Sequence, residues 1–255
     1  MKVFLIAEAG CNWQNFDQAR ALVKAVGYTG AQAVKFQSFG PDFDPKLKQW
    51  SLSEDEHFLL QARCEDHGIL FLTTCFDEYS FKIVEQMSLR YGKIPSGELT
   101  NVKYLDRISN MFDHLFVSTG MASLTDVEKA LVYLGWPKRK DFTIMHCVSG
   151  YPPNIEDVNL KAIETLTYAF KLPVGLSDHT RSITLPAAAV AMGVVAIEKH
   201  IKLDETAIDK DVSLTVLEFT EMVDNILEIE DALGDGIKRC QESEKETLTK
   251  KWRYK

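Results

Sequence analysis

The stretch from Val3 to Gln37 reads VFLIAEAGCNWQNFDQARALVKAVGYTGAQAVKFQ and contains the unit from which the fold can be predicted. Its first seven residues are apolar except for Glu8, a pattern typical of a buried strand. Asn15 then precedes a stripe of Ala, Leu and Val at helical spacing, and residues 33–38 form a second β-rich run. A strand, a helix and another strand in this order predict a right-handed crossover between parallel strands.

The same alternation continues along most of the sequence. Short apolar runs predict eight strands, near residues 3–9, 33–38, 69–75, 91–96, 114–119, 142–147, 173–177 and 194–200. The segments between them carry helix-start signals, such as Ser53 followed by Glu56, the pattern of a capping box. Eight βα units in about 235 residues predict an α/β fold of the (β/α)8 TIM-barrel class, which typically takes about 250 residues. An open doubly wound sheet is the alternative, but no G-x-G-x-x-G turn follows the first strand, which favours the barrel.

Composition and charge exclude several classes of protein. The chain has 255 residues, 45% of them hydrophobic and 26% charged, as in ordinary globular proteins. No apolar run reaches the ~18 residues of a membrane span, and the start lacks a signal-peptide pattern, so we expect a cytoplasmic protein with no membrane partner. Five scattered cysteines without C-x-x-C spacing indicate reduced thiols. A formal net charge of -8 argues against a nucleic-acid partner.

Two regions of unequal size are predicted. Residues 1–234 form the barrel, whose last helical pattern ends at Gly234-Asp235-Gly236. Residues 235–255 form a short helical tail with seven Lys or Arg residues against four acidic ones. We expect this tail to be solvated; packing against the barrel mouth or a partner subunit through Trp252 and Tyr254 is the alternative.

Polar side chains follow each predicted strand at its carboxyl end, where TIM barrels carry their active sites. The residues at these ends are Glu8; Lys35 and Gln37; Thr73 and Thr74; Lys93, Ser96 and Glu98; Ser118; His146 and Ser149; Ser177, Asp178 and His179; Glu198 and His200. Inert strand ends would more often run straight into Gly, Pro or Asn turns. The pattern therefore predicts a polar site at one end of the barrel.

Sorted by chemistry, these residues form two predicted subsites. Ammonium and hydroxyl donors suited to a phosphate and a carboxylate are Lys35, Thr74, Lys93, Ser96, Ser118 and Ser177. His179 and His200 come from adjacent strands and are candidate ligands of one divalent metal ion, with Asp211 as a possible oxygen partner. The sequence thus indicates a small phosphorylated acid and one metal ion. The alternative is that these residues have only a structural role, with the lysines paired to neighbouring carboxylates and the histidines not bound to a metal.

Seven motifs in one order carry a resemblance to a known family. They are Ile6-Ala7-Glu8-Ala9-Gly10-x-Asn12, Ala33-Val34-Lys35-Phe36-Gln37, Lys93-Ile94-Pro95-Ser96-Gly97-Glu98, Val117-Ser118-Thr119-Gly120-Met121-Ala122, His146-Cys147-Val148-Ser149-x-Tyr151-Pro152, Gly175-Leu176-Ser177-Asp178-His179-Thr180 and Glu198-Lys199-His200. Across about residues 3–234 the chain resembles the sialic acid (N-acetylneuraminate) synthases. The resemblance implies condensation of phosphoenolpyruvate with an amino-sugar aldehyde or related aldose, giving a 2-keto-3-deoxy sugar acid and phosphate.

The resemblance also implies a role for each matching residue. The phosphoenolpyruvate cradle would be Lys35, Thr74, Lys93, Ser96, Ser118 and Ser177, with Gln37 as a further substrate-binding residue. His179 and His200 would hold Mn2+, with Mg2+ or Co2+ as alternatives. Glu8 would position or deprotonate a reacting hydroxyl or water. Glu98 and Tyr151 would contact the open-chain sugar, and Asp211 would be the carboxylate at the sugar site.

The sequence departs from the family pattern in three places. Asn12-Trp13-Gln14-Asn15 places an indole where the family has an imidazole, which we expect to reshape the sugar pocket. Cys11 lies in the same segment, and we expect a buried bystander thiol there rather than a metal ligand. Typical members continue into a C-terminal antifreeze-like domain that reaches a partner's active site, whereas this sequence ends at Lys255. We therefore expect a homodimer whose barrel mouth is covered by a separate capping polypeptide or by residues 252–255, unless another aldose is used.

Two other functions remain open from the sequence. A Schiff-base aldolase acting on pyruvate would use Lys35, Lys93 or Lys199 as its amine, after neighbouring cations and burial lower the lysine pKa. A barrel without catalytic activity would bind a sugar acid or a phosphate. The presence of both histidines, both lysines and Glu8 favours the metal-assisted synthase, because binding alone does not require a Lewis acid together with a base.

Overall fold

The computed structural model describes residues 2–250 and shows a barrel of eight parallel strands. The barrel strands are β1 (Phe4–Gly10), β2 (Ala33–Ser38), β3 (Leu70–Cys75), β4 (Tyr91–Ile94), β5 (His114–Ser118), β6 (Phe142–Cys147), β7 (Val174–Asp178) and β8 (Ala196–Lys202). Hydrogen-bonded neighbours follow the order β3-β2-β1-β8-β7-β6-β5-β4. β3 and β4 lie side by side without a hydrogen-bonded ladder, so the barrel is nearly closed. The predicted (β/α)8 class is confirmed.

A helix follows every barrel strand. The helices are α1 (Phe16–Val26), α2 (Glu54–Asp66), α3 (Glu78–Gln86), α4 (Val102–Ile108), α5 (Leu124–Tyr133), α6 (Ala162–Phe170), α7 (Leu185–Ala191) and α8 (Val216–Leu233). Asn15 caps α1, and Ser53 with Glu56 forms the predicted capping box of α2. β4 ends at Ile94, two residues earlier than predicted, because Pro95 has no N–H to donate to a ladder.

The barrel lumen contains one apolar layer beneath one polar layer. The apolar layer comprises Phe4, Ile6, Ala33, Leu72, Tyr91, Phe116, Met145 and Ala196. Residues two positions further along these strands extend the same inward-facing series, because side chains of a strand alternate between its two faces. Those residues are Glu8, Lys35, Thr74, Lys93, Ser118, Cys147 and Glu198. A larger apolar core separates the outer face of the sheet from the helices. The polar layer therefore lies at the carboxyl end, above a packed floor.

The carboxyl end of β8 has an extension that the sequence pattern did not predict. A two-residue strand, β9 (Leu214–Thr215), pairs in parallel with Ile201 and Lys202 of β8. The loop between β8 and β9 is thereby anchored at both ends, which fixes it beside the barrel mouth.

The tail begins where α8 ends. Gly234 adopts a φ of 60°, which ends the helix, and residues 235–248 are exposed to solvent. A 3-10 segment spans Glu242–Lys250. Trp252 and Tyr254 lie outside the described residues, and the division at residue 234 stays a prediction. Among residues 2–250 the helices are all too short or too polar to traverse a lipid bilayer.

Candidate active site

A cavity of about 70 Å3 opens at the carboxyl ends of the barrel strands. Its lining residues are Glu8, Lys35, Gln37, Lys93, Pro95, Ser96, Ser118, Cys147, Tyr151, Ser177, His179, Glu198 and His200. Ten of the thirteen residues predicted for the site are in this lining, and they come from strands and loops spread around the whole barrel. The structure thus brings both predicted subsites into one polar well.

Lys35 of β2 is held by groups from three other strands. Its ammonium group forms an ion pair with Glu8 Oε2, without the alignment of a hydrogen bond, and donates to Thr74 Oγ1 at 2.9 Å. Glu198 Oε2 lies 3.9 Å away. Burial alone would lower the pKa of Lys35, but Glu8 and Glu198 raise it above its ordinary value. Lys35 therefore remains an ammonium ion. Thr74 does not line the cavity and acts behind Lys35.

Glu198 of β8 joins the two cavity lysines. Its carboxylate accepts from Lys93 Nζ at 2.8 and 3.1 Å and from Ser177 Oγ at 2.9 Å. Burial would raise the pKa of Glu198, but Lys93 and Lys35 and these hydrogen bonds hold it well below its ordinary value. Glu198 is consequently an anion that fixes both ammonium groups at one side of the cavity. Its position at a strand end was predicted from the sequence, but its role was not.

Glu8 of β1 is buried close to a glycine with a positive φ. Burial raises the pKa of Glu8 to about 7 against the opposing charge of Lys35. Its Oε1 atom has no hydrogen-bond partner. Gly10 adopts a φ of 50°, and a Cβ atom there would lie 3.1 Å from Glu8 Oε1. The absence of a side chain at Gly10 leaves that oxygen room to meet a ligand, and the carboxyl can hold or release a proton near neutral pH.

His179 and His200 lie together on one wall of the cavity. Their ring centroids are 5.5 Å apart, and the ring of Tyr151 lies 4.4 Å from that of His179. His179 Nδ1 is 2.9 Å from the carbonyl of Val148, which can only accept, so Nδ1 carries the proton and Nε2 is free. Burial lowers the pKa of both rings, and for His200 the proximity of His179 lowers it further. Both imidazoles are therefore neutral.

An aspartate of the β8–β9 loop lies beside this pair, but it is Asp209 and not the predicted Asp211. Asp209 Oδ2 is 3.5 Å from His200 Nδ1, and burial raises the pKa of Asp209. Asn12 Oδ1 accepts from the Asp209 N–H at 2.9 Å, and Ser213 Oγ donates to the Asp209 carbonyl at 2.7 Å. Asp211 is exposed and does not line the cavity. Because these hydrogen bonds hold the loop, Asp209 and not Asp211 lies beside His200.

The opposite wall supplies hydroxyl groups. Ser118 Oγ is buried without a partner, and Ser96 Oγ accepts from the Gly120 N–H at 3.0 Å and lies 3.1 Å from Cys147 Sγ. A Cβ atom at Gly120 would lie 2.8 Å from Ser96 Oγ, so only glycine allows this close approach. An unpaired buried hydroxyl costs free energy unless a ligand satisfies it. Ser118 therefore indicates where an anionic ligand would bind.

Four further residues of the sequence analysis can be placed. Gln37 lines the cavity, with its Oε1 atom 3.6 Å from Cys11 Sγ. Glu98 is half-buried outside the lining and accepts from Asn101 Nδ2 at 2.7 Å. Burial raises the pKa of the Cys11 thiol, and its role as a bystander stays a prediction. Trp13 is packed in the apolar core, so the expected change at the sugar pocket does not come from its ring.

The histidine wall fits a divalent metal ion. His200 Nδ1 is buried without a hydrogen-bond partner, and the His179–Val148 contact fixes the tautomer that leaves Nε2 unprotonated, as metal-binding histidines require. Within residues 2–250, no three His, Cys, Asp or Glu side chains already form a complete metal-binding cluster. His179 and His200 are therefore the residues that would hold such an ion, with Asp209 nearby.

Comparison with known proteins agrees with this geometry. A sequence model described as the NeuB family matches residues 45–238. The N,N'-diacetyllegionaminic acid synthase of Legionella pneumophila is 37% identical over 273 residues, which cover 96% of this chain and 77% of the relative. The human N-acetylneuraminate-9-phosphate synthase is 30% identical, with 92% of this chain and 72% of the relative covered.

A solved structure shows the same fold at similar identity. The N-acetylneuraminic acid synthetase of Leptospira borgpetersenii, crystallised with citrate, superposes with a TM-score of 0.89 and is 31% identical, covering 98% of this chain and 91% of that one. The family model alone matches more than half of the present sequence, and the barrel and its polar well have the same architecture that the motifs implied. The chain belongs to the NeuB family.

Proposed function

We propose that this protein condenses phosphoenolpyruvate with an aldose to give a 2-keto-3-deoxy sugar acid and inorganic phosphate. The observation that carries the proposal is the convergence of two ammonium groups and two neutral imidazoles on one polar cavity. The named relatives, which are synthases of legionaminic acid and of N-acetylneuraminate-9-phosphate, support a sugar acid as the product.

The lysine side of the cavity suits phosphoenolpyruvate. Lys35 and Lys93 can compensate the phosphate and carboxylate charges, and Ser96, Ser118 and Ser177 can donate hydrogen bonds to their oxygens. Glu198 keeps the two ammonium groups in place before the substrate binds, which reduces the cost of ordering them in the transition state. The methylene carbon C3 of the enol would then face the histidine wall.

The histidine side suits the aldehyde carbon of an open-chain aldose. A divalent ion held there by His179 and His200, Mn2+ by preference, would polarise the aldehyde as a Lewis acid. C3 of phosphoenolpyruvate attacks the aldehyde carbon, a new carbon–carbon bond forms, and the aldehyde oxygen gains a proton. Tyr151 and Asp209, which lie beside His179 and His200, would orient the sugar hydroxyls. The contacts of Glu98 and Asp211 with the sugar stay predictions.

Glu8 is placed to move the remaining proton. Water adds to C2 of the condensed intermediate and loses a proton to Glu8, whose free Oε1 faces the space beside Gly10. The C2–O bond to phosphate then breaks, the hydroxyl left on C2 loses its proton as the ketone forms, and phosphate departs with the bonding electrons and that proton. The proton taken by Glu8 replaces the one that the aldehyde oxygen gained, so the protons balance. Phosphoenolpyruvate, aldose and water are consumed, and one sugar acid and one phosphate are formed.

The structure gives less support to a Schiff-base aldolase. Such an enzyme needs a neutral lysine amine, but Glu8 and Glu198 raise the pKa of Lys35, and Lys93 is ion-paired with Glu198. Burial lowers the pKa of Lys199, but that side chain is fully buried outside the cavity lining. The homodimer, the capping polypeptide and the cytoplasmic location stay predictions.

The direct test is turnover. Protein freed of metal with a chelator is incubated with phosphoenolpyruvate, Mn2+ and a panel of aldoses, and the 2-keto-3-deoxy product is measured by mass spectrometry together with released phosphate. We expect turnover that depends on both Mn2+ and aldose. His200→Ala should lower it by about 10³-fold. His114→Ala, which removes an imidazole at the amino end of β5, is the matched control and should retain activity. Absence of product with every aldose would refute the proposal.

A further inference from the structure

We propose that His146 is a positioning residue that fixes the orientation and the tautomer of His179, acting through residues 148–158 of the loop between β6 and α6. Because His179 is a candidate metal ligand, the consequence for metal binding rests on the proposed function, whereas the consequence for its tautomer does not. The sequence predicts a polar strand end at His146 but no role for it. The hydrogen bonds of segment 148–158 supply that role.

The side chain of His146 points out of the barrel and towards the far end of this segment. His146 lies between Met145, which belongs to the apolar layer of the lumen, and Cys147, which lines the cavity, so its side chain is on the opposite face of β6. The residue is buried, and its Nε2 atom is 2.8 Å from the carbonyl oxygen of Val158. A carbonyl can only accept, so Nε2 carries a proton and donates it.

His179 binds the same segment at its near end. The carbonyl of Val148, the first residue of the segment, accepts a hydrogen bond from His179 Nδ1 at 2.9 Å. The ring of Tyr151, three residues further along, has its centroid 4.4 Å from that of His179. Segment 148–158 therefore supplies both a carbonyl acceptor and an aromatic contact to the His179 ring.

Few hydrogen bonds from other parts of the protein hold segment 148–158. Among residues 2–250, His146 and His179 are the only side chains outside the segment that hydrogen-bond to its backbone. The side chains of Asn154 and Asp157 bond to each other, within the segment. Loss of the bond from His146 would therefore leave the contact with His179 without a second anchor of this kind.

The two imidazoles are also packed around one small cavity. His146 and His179 line this cavity of about 10 Å3 together with Val148 and Val158, the residues whose carbonyls they bind. Such a volume is about the smallest that admits a water molecule. Closely packed groups transmit displacements to their neighbours. A shift of segment 148–158 at Val158 would therefore be felt at His179.

The carbonyl of Val148 determines which nitrogen of His179 is available. Its hydrogen bond keeps the proton on Nδ1 and leaves the lone pair on Nε2, the arrangement that a metal-binding imidazole requires. If segment 148–158 moves away, the proton can transfer to Nε2, and that nitrogen then has no lone pair for a metal ion. His146 does not line the active-site cavity, so it acts on this wall through Val148.

The first readout is the tautomer of His179 in the metal-free protein. The chain has six histidines, so NMR of protein labelled with 15N in histidine gives few imidazole signals, and a His179→Asn sample identifies those of His179. We expect the Nδ1-protonated form to predominate in the wild type and in His146→Gln, whose amide can still donate to Val158. In His146→Leu the ratio of this form to the Nε2-protonated form should fall about 5-fold, because the donor is lost. A wild-type ratio in His146→Leu would overturn the inference.

The second readout is the affinity for Mn2+, measured from the EPR signal of the free ion. We expect His146→Leu to raise the Kd of Mn2+ about 10-fold and His146→Gln to stay within about 2-fold of the wild type. An unchanged Kd in His146→Leu would overturn the consequence for metal binding and leave the proposed function standing. A wild type that bound no Mn2+ would count against the proposed metal site, while the tautomer would still test His146.

A second buried histidine provides the matched control for a loss of stability. His57 on α2 is fully buried, and its Nδ1 atom donates to the Ser53 carbonyl at 2.8 Å, outside the cavity lining. His57→Leu should lower the unfolding free energy, as His146→Leu does, but leave the His179 tautomer and the Kd of Mn2+ unaltered. Equal changes in both variants would assign the effect to general destabilisation and overturn the inference. His146→Asn, whose shorter amide does not reach Val158, replaces His146→Leu if that variant does not fold.

Discussion

Buried lysines lie on both faces of the barrel sheet, and the two faces use them differently. Lys35 and Lys93 are in the lumen, where Glu198 links them above the apolar floor. Lys199 has no exposed side-chain area and alternates with the lumen residues Glu198 and His200 along β8, so it lies on the outer face. Lys199 donates to Asp178 Oδ2 at 2.6 Å and also contacts the Thr180 carbonyl.

The comparison teaches that burial and ion pairing alone do not identify a functional lysine. On the outer face, Asp178 is the register partner of Lys199 on the neighbouring strand, and the pair joins β7 to β8 away from the cavity. In the lumen, Lys35 also donates to Thr74, Glu198 also accepts from Ser177, and both lysines line an open cavity. A ligand can replace part of the pairing in the lumen but has no access to the outer pair.

Replacing a lumen lysine should produce the larger kinetic effect. Lys93→Met removes the ammonium group but keeps much of the side-chain volume. We expect KM for phosphoenolpyruvate to rise about 100-fold, because the lost charge compensated the substrate. The unfolding free energy should fall less than in an outer-face variant, because Glu198 keeps Lys35 nearby and a hydrogen bond from Ser177. Steady-state kinetics with varied phosphoenolpyruvate measure the change.

The control for Lys93→Met is a lysine without a role in the cavity. Lys103 is exposed on α4, and Lys103→Met should leave KM for phosphoenolpyruvate unaltered. If Lys93→Met had the same KM for phosphoenolpyruvate as Lys103→Met, the predicted role of Lys93 in substrate binding would be wrong.

The sequence predicted the barrel well because the pattern that determines it is local. β2 and β6 have the predicted bounds, 33–38 and 142–147, since their apolar runs are bordered by turn residues. β8 was predicted at 194–200 and spans Ala196–Lys202, because the charged residues at its end continue the ladder through pairing with β9. A two-residue strand leaves no periodic signal, so β9 could not be predicted.

The candidate site was predictable where a strand determines the direction of a side chain. The residues that line the cavity and come two or four positions after an inward-facing apolar residue of the same strand include Lys35, Lys93, Ser118 and His200. Side chains at such spacing point to the same face of a strand. Glu198 comes two residues after Ala196, so the same spacing predicts that its side chain points into the barrel. Loop residues do not alternate between two faces, so their side-chain directions cannot be predicted in this way. The choice between Asp209 and Asp211 depends on the tertiary contact of the loop with Asn12, which spacing does not reveal.

We expect a smaller effect from the titration of Glu8 in the lumen, which should make both kcat/KM and the unfolding free energy depend on pH. Burial raises the pKa of Glu8 from 4.5 to about 7, so its ionised fraction rises with pH through about 7. As a base, Glu8 should make kcat/KM rise over that interval and level off above it. Because the folded state disfavours the ionised form, the unfolding free energy should fall as pH rises from 4.5 towards 7.

Glu8→Gln tests both parts of this dependence. The amide does not titrate, so the variant should show a lower kcat/KM without the rise near pH 7, and its unfolding free energy should lose the decline between pH 4.5 and 7. Rate profiles and urea denaturation at a series of pH values measure the two quantities. A rise near pH 7 that persisted in Glu8→Gln would assign the titration to another group.

The outer pair should give the smallest kinetic effect and a large effect on stability. Lys199→Met leaves the Asp178 carboxylate buried without its cation, and losing one partner of a buried ion pair costs about 3–5 kcal/mol of unfolding free energy. The double variant Lys199→Met with Asp178→Leu should recover part of that loss, because it leaves no charge unpaired. Since neither side chain lines the cavity, KM for phosphoenolpyruvate in folded Lys199→Met should stay close to that of the wild type. If Lys199→Met instead raised this KM as much as Lys93→Met does, the outer pair would be controlling the cavity, and the distinction between the two faces of the sheet would fail.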